Sequence, residues 1–160
     1  GGIKESGAER VFLTSTTHGA EMCGMGAFVE TIKVYRQQNV VEHLWNYGEK
    51  LINGMNAIAC ELGVAENFNV CGIPCSPNYL TKDKNGEVSM GLRTLFSQEM
   101  IKNGVLMPWI AISLAHGEAE LEKTLEATRK SLQVYARAVV DGYEKYLQGE
   151  VIKPVFRKYN

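Results

Sequence analysis

No apolar run in the chain approaches the roughly 20 residues of a membrane-spanning helix, so none of its segments reads as one. No excess of charge is present either. Seventeen Lys and Arg stand against eighteen Asp and Glu, leaving a net charge of -1. Nucleic-acid binding usually needs a basic face, so that class of partner is set aside. The opening Gly-Gly-Ile-Lys-Glu-Ser-Gly is polar, without the apolar core of a secretory leader. An initiating methionine is missing: Gly1 comes first and Met22 is the first methionine, which reads as a trimmed or processed chain. Internal repeats and low-complexity tracts are absent.

Cysteine is scarce. Cys23, Cys60, Cys71 and Cys75 occur in a chain long enough to fold without staples. With no leader, they read as reduced thiols of a cytoplasmic protein. Zinc sites usually pair one cysteine doublet with a second at defined spacing. Here Cys71 and Cys75 have no such second pair, and His18, His43 and His116 show no ligand-like spacing, so no metal is assigned. No local signature marks a Cys–His nucleophile. A lysine that forms a Schiff base wants a desolvated setting. The eleven lysines fall on amphipathic helices, polar turns or tails, and none has an apolar setting, so no catalytic residue is assigned.

What the sequence does contain is an ordinary globular composition, 45% apolar and 22% charged, in 160 residues. Residues 11–14 read as a strand, followed by a helix from 19 or 20 to about 38 with Met22, Met25, Val29, Ile32 and Tyr35 at helical spacing. Gly24, Gly26 and Ala27 lie in its first half, and glycine there is usually tolerated where another backbone comes close. Asn39, with Glu42 three residues on, reads as the cap of a second helix. Its stripe runs Val41, Leu44, Trp45, Leu51, Ile52, Met55, Ile58 and Leu62, and Gly63 stops it. Residues 67–73 and 78–81 are strand-like, with Pro74 and Pro77 marking an edge or bend. Asn85-Gly86 signals a turn. Ser89 caps a third helix carrying Leu92, Leu95, Phe96, Met100 and Ile101, and Asn103-Gly104 ends it. Strands are expected at 105–107 and 110–114 around Pro108. A fourth helix is expected from about 117 to 143, with Glu118, Glu120 and Glu122 near its positive end. Its buried face is Leu121, Leu125, Leu132, Tyr135 and Val139. The pattern is α+β.

The segment Thr14-Ser15-Thr16-Thr17-His18-Gly19 carries the strongest chemical signal. Clustered hydroxyls and free N–H groups at a strand-to-helix junction favour a bound phosphate. Simple helix capping accounts for the same residues. His116 reads as a cap or strand-end hydrogen-bonding group, and Trp45 and Trp109 as core or interface anchors.

Two stretches, Arg10-Val-Phe-Leu-Thr-Ser-Thr-Thr-His-Gly-Ala-Glu21 and the run from Asn103 to Ala127 containing Ser113-Leu-Ala-His-Gly-Glu, resemble the class III aminotransferases. Within that family the glutamate-1-semialdehyde aminomutase-like enzymes are the nearest comparison, and the likeness runs collinearly over about residues 9 to 140. The resemblance implies a pyridoxal-phosphate (PLP) enzyme of fold type I, seen from its C-terminal portion only. That portion is a small antiparallel sheet covered by helices. It implies that Thr16, flanked by Ser15 and Thr17, contacts the cofactor phosphate of a neighbouring subunit in a homodimer. The substrate would be an amino acid or an amino or keto compound, and the chemistry amino-group transfer or migration. The family's cofactor lysine would lie upstream, leaving this chain inactive alone.

Under that reading residues 1–18 belong to the cofactor domain, 19–38 to a connecting helix, 39–147 to the small domain and 148–160 to a tail. The alternative is a non-enzymatic helical module for dimerisation or interaction, using the helices at 39–62 and 117–143. Either way, Met22, Met25 and Val29 would be exposed in this chain and favour self-association.

Overall fold

The computed structural model describes residues 21–153. The chain divides into two units, the first ending at Val40 and the second beginning at Val41. In the first unit, α1 spans Met22–Gln37 and buries none of its residues. Met22, Met25, Phe28 and Val29 are all exposed along it. A β-carbon added at Gly26 would meet nothing among the described residues. Asn39 has φ of 48°, in the left-handed region that asparagine tolerates. An N-cap needs extended backbone, so Asn39 breaks the chain between helices rather than capping the second.

The second unit carries α2 (Val40–Glu61, apart from its first residue), strands β1 (Phe68–Ile73) and β2 (Ser76–Thr81), α3 (Met90–Lys102), α4 (Glu118–Asp141) and a short 3-10 turn at Tyr143–Lys145. This is the α+β arrangement expected, with one two-stranded antiparallel sheet. Gly63 and Gly104 end α2 and α3 as anticipated, both with positive φ. Val64 N–H reaches Ala59 C=O at 2.9 Å, and Val105 N–H reaches Met100 C=O at 3.0 Å. These bonds satisfy carbonyls that a helix end leaves orphaned. Ser89 caps α3 by accepting from Leu92 N–H at 3.2 Å.

Ile73 pairs with Ser76, leaving Pro74 and Cys75 as the hairpin loop. The Lys82 N–H bond to Asn67 C=O, 2.7 Å, sets the parity of the ladder. Phe68, Val70 and Gly72 in β1, and Pro77, Tyr79 and Thr81 in β2, therefore point their backbone polar groups away from the partner strand. Pro77 thus loses no ladder bond. Both outer edges are covered by side chains or loops. The Asn56 amide of α2 donates to Val70 C=O and accepts from Val70 N–H, each at 2.8 Å. Arg93 donates to Tyr79 C=O at 2.9 Å. Ser89 N–H donates to Thr81 C=O while the Thr81 hydroxyl donates back to Ser89 C=O. Covering edges this way removes a template for unwanted strand pairing.

Phe68, Tyr79, Phe96 and Tyr135 meet at the centre. Phe68 and Phe96 have ring centroids 4.7 Å apart, and Tyr79 and Phe96 5.2 Å apart. Leu51, Met55, Leu95, Met100 and Leu132 complete the core. Each such side chain contributes about 1.5–3 kcal/mol through burial. Helix α3 is buried almost all round because α4 and β2 pack on it. Ile101, expected on its buried side, is exposed. Val41 and Trp45 are exposed too, so the core-facing stripe of α2 begins at Tyr47.

The strands expected at 105–107 and 110–114 are absent. These residues run without a ladder; side chains of β2 and α3 hold the carbonyls of Met107 and Pro108 between the two expected strands. Gly48 lies under the hairpin loop: a β-carbon there would stand 1.7 Å from the Pro74 carbonyl oxygen. We expect Gly48→Ala to cost about 1–3 kcal/mol or more in urea unfolding, while Gly26→Ala, in open space, leaves the midpoint unchanged.

Candidate functional site

The hydroxyls of Ser15, Thr16 and Thr17, and His18 beside them, lie outside the described residues. Within them, the second unit holds a cleft of about 280 Å³ between α2, residues 104–112 and the start of α4. Its apolar side is formed by Leu51, Val105, Trp109 and Ile112, and its polar side by Tyr47, His116, Glu120 and Lys123.

Each polar group is placed by local structure. Tyr47 sits on the buried side of α2, with its ring centroid 5.7 Å from that of His116. Burial, together with the Glu120 and Glu118 carboxylates, raises the Tyr47 phenol above its ordinary range, so it stays protonated. His116 accepts the Ser113 N–H on Nδ1 at 3.2 Å. A neutral imidazole with Nδ1 accepting carries its proton on Nε2. Glu120 reaches back to the Gly117 N–H at 2.8 Å, closing the first turn of α4. That bond is the main reason its carboxyl is held below the usual range, with His116 and Lys123 adding to the effect. Glu118 pairs with Lys50.

The 105–113 segment is held from behind. Tyr79 Oη donates to Pro108 C=O at 3.1 Å and lies 3.4 Å from Met107 C=O. Arg93 Nη2 donates to the same Pro108 carbonyl at 3.3 Å. The guanidinium stacks over the Tyr79 ring, 4.1 Å from its centroid. Trp109 follows Pro108 and is 67% exposed, so of the two roles read from the sequence, core or interface anchor, it does not fill the first.

Of the sequence candidates, His116 and Trp109 meet in the cleft, while the four cysteines stand free, three of them exposed. Among the described residues no cluster could hold a metal ion, and no helix is long and apolar enough to cross a membrane. Every described lysine is exposed except Lys82, which is half-buried. Tyr47 and Arg93 escaped sequence reasoning. Tyr47 lies one helical turn from the α2 stripe and could have been found by its phase. Nothing local marks Arg93.

By fold, this chain is similar to a protein that carries PLP. The FumI protein of Sphingopyxis sp. MTA144, in its PLP internal aldimine form, superposes with a TM-score of 0.63 at 22% identity, covering 73% of this chain and 28% of that one. By sequence, it resembles the glutamate-1-semialdehyde 2,1-aminomutases. The enzyme of Clostridium tetani (strain Massachusetts / E88) is 26% identical over 131 residues, 75% of this chain and 31% of the relative. That of Archaeoglobus fulgidus is 30% identical over 119 residues, 64% of this chain and 27% of the relative. The chain therefore spans less than a third of the length of these relatives. No protein-family model matches it.

Because the folded pKa of Glu120 is depressed, its contribution to stability is full above the unfolded carboxyl range, near about 4.3. It fades as pH falls through the folded value. The melting-temperature difference between wild type and Glu120→Gln should therefore shrink as pH is lowered from about 6 toward about 3. A constant difference across that range would show that the charge on Glu120 is irrelevant to the start of α4.

Proposed function

We propose that this chain is the C-terminal part of a PLP-dependent aminotransferase or aminomutase that acts on an amino acid or a related amino or keto compound. The observation that carries the reading is the match to the aminomutases over 64–75% of the chain; the fold likeness to a PLP-bearing protein supports it independently. In the complete enzyme the cofactor supplies an electron sink for bonds at the amino-bearing carbon. The residues of this chain have other tasks. Thr16 would give its hydroxyl to the cofactor phosphate, with Ser15 and Thr17 shaping the turn, across the interface of a cytoplasmic homodimer. The helices and hairpin of the second unit would form the small domain beside the substrate.

None of the described residues fits the covalent anchoring of PLP. That role needs a desolvated lysine, and the described lysines are exposed or half-buried. The exposure of Val41 and Trp45 on α2 and of Val140 on α4 suits the alternative, a non-enzymatic helical module that meets a partner through the helices at 39–62 and 117–143.

In the complete polypeptide, Thr16→Val should weaken PLP retention about tenfold or more, the scale of one hydrogen bond to a charged group. Absorbance of bound cofactor after dialysis measures it. For the 160-residue chain itself, borohydride should fix no stoichiometric PLP on any lysine. A trapped lysine, or a Thr16→Val protein that holds PLP as well as the wild type, would contradict the proposal. A complete protein that never binds PLP favours the helical module.

A further inference from the structure

We propose that Asn85 is a site of spontaneous covalent modification: it loses its side-chain amide to attack by the next backbone nitrogen and becomes aspartate or isoaspartate. The proposal involves the second unit alone and does not depend on the cofactor.

The reaction is easiest where glycine follows asparagine, because no β-carbon shields the attacking nitrogen. Base takes the glycine amide proton, and the nitrogen attacks the asparagine Cγ. The N–Cγ bond forms, the Cγ–Nδ2 bond breaks, and ammonia leaves with a proton from water. Water then opens the cyclic imide at either carbonyl. One opening puts a carboxylate where the amide stood; the other leaves an extra methylene in the main chain. Three Asn-Gly steps occur here: Asn53-Gly54, Asn85-Gly86 and Asn103-Gly104.

The fold restrains two of them. Asn53 lies in α2 between Leu51 and Met55, both buried. A helical side chain tilts toward the N-terminus of its helix, away from the next nitrogen, and that nitrogen is bonded to the carbonyl four residues back. Gly54 is packed as well: a β-carbon there would stand 2.7 Å from Leu125 Cδ2. Reaction at Asn53 therefore waits for the core to open. Asn103 is half-buried, and its Nδ2 donates to Glu99 C=O at 2.8 Å, which pins the amide to the end of α3.

Asn85 has neither restraint. Residues 84–88 are all exposed. The turn is built around Asp83, whose Oδ1 accepts the N–H groups of Asn85 and Glu87 at 2.8 and 3.0 Å, and none of these bonds uses the Asn85 side chain. The Gly86 N–H bond to Asp83 C=O, 3.1 Å, is the one that must break to free the nucleophile. Gly86 has φ of 83°, and a β-carbon there would meet nothing among the described residues, so its nitrogen is open to approach. Opening one exposed turn costs far less than opening a helix of the core. The product adds a negative charge between Asp83 and Glu87. Isoaspartate also lengthens the chain across the Lys82–Val88 bridge, next to the Ser89 cap of α3.

The 160-residue chain is aged in mildly alkaline buffer, once folded and once in urea, then digested and mapped by mass spectrometry. Labelled S-adenosylmethionine and an isoaspartyl methyltransferase count the isoaspartate in each peptide. In urea, where no fold protects them, the three asparagines should react at rates within about threefold of one another. In the folded chain Asn85 should keep its urea rate to within about threefold, while Asn53 and Asn103 slow by at least about tenfold. Asn85→Gln, whose longer side chain closes the ring far more slowly, should remove most of the methyl acceptance. Asn85 slowed on folding as much as Asn53, a main methyl acceptor at Asn53 or Asn103 in the folded chain, or undiminished acceptance in Asn85→Gln overturns the proposal.

Discussion

Tyr79 holds this fold together at the point where strand, helix and irregular chain meet. Its ring lies fully buried between Phe68 and Phe96. Its hydroxyl must therefore find partners, because an unsatisfied buried donor costs about 1–3 kcal/mol. The partners are the Met107 and Pro108 carbonyls, with Ser97 Oγ at 3.3 Å. One side chain thus satisfies its own polar end and the backbone of a segment that has no ladder. Arg93 repeats the device from α3, covering the open edge of β2 and the same Pro108 carbonyl together.

Helices and turns were legible in the sequence because their signals are local. Helical periodicity, the Ser89 cap and the glycines at 63 and 104 each act within a few residues, and the structure keeps them. The two strand-like stretches were legible for the same reason; their pairing as a hairpin was not read, and register explains how Pro77 can sit inside a strand. Failures came where distant groups decide. Residues 105–114 have strand-like composition, but a strand needs a neighbour, and these residues run without a ladder, held at Met107 and Pro108 by Tyr79 and Arg93 instead. Asn39 was misread because asparagine suits both a cap and left-handed backbone, and only φ separates the two. Ile101 looked like a core residue and Trp45 and Trp109 like core or interface anchors, yet all three are exposed.

The site divides along the same line. A hydroxyl-rich segment at residues 14–17 can be seen in the sequence and draws its meaning from likeness to aminomutases. The cleft could not be seen there, since its polar lining comes from residues 47, 116, 120 and 123, which are distant in sequence and meet only when α2 packs beside the start of α4.

Backbone NMR on Tyr79→Phe tests the central claim most directly, because the change removes only the hydroxyl that ties the hairpin to the carbonyls of Met107 and Pro108. The account predicts that the β1, β2 and α3 signals stay in place at a modestly reduced global stability, while those of residues 107–110 shift and broaden through local opening. Unchanged signals at 107–110 would contradict it.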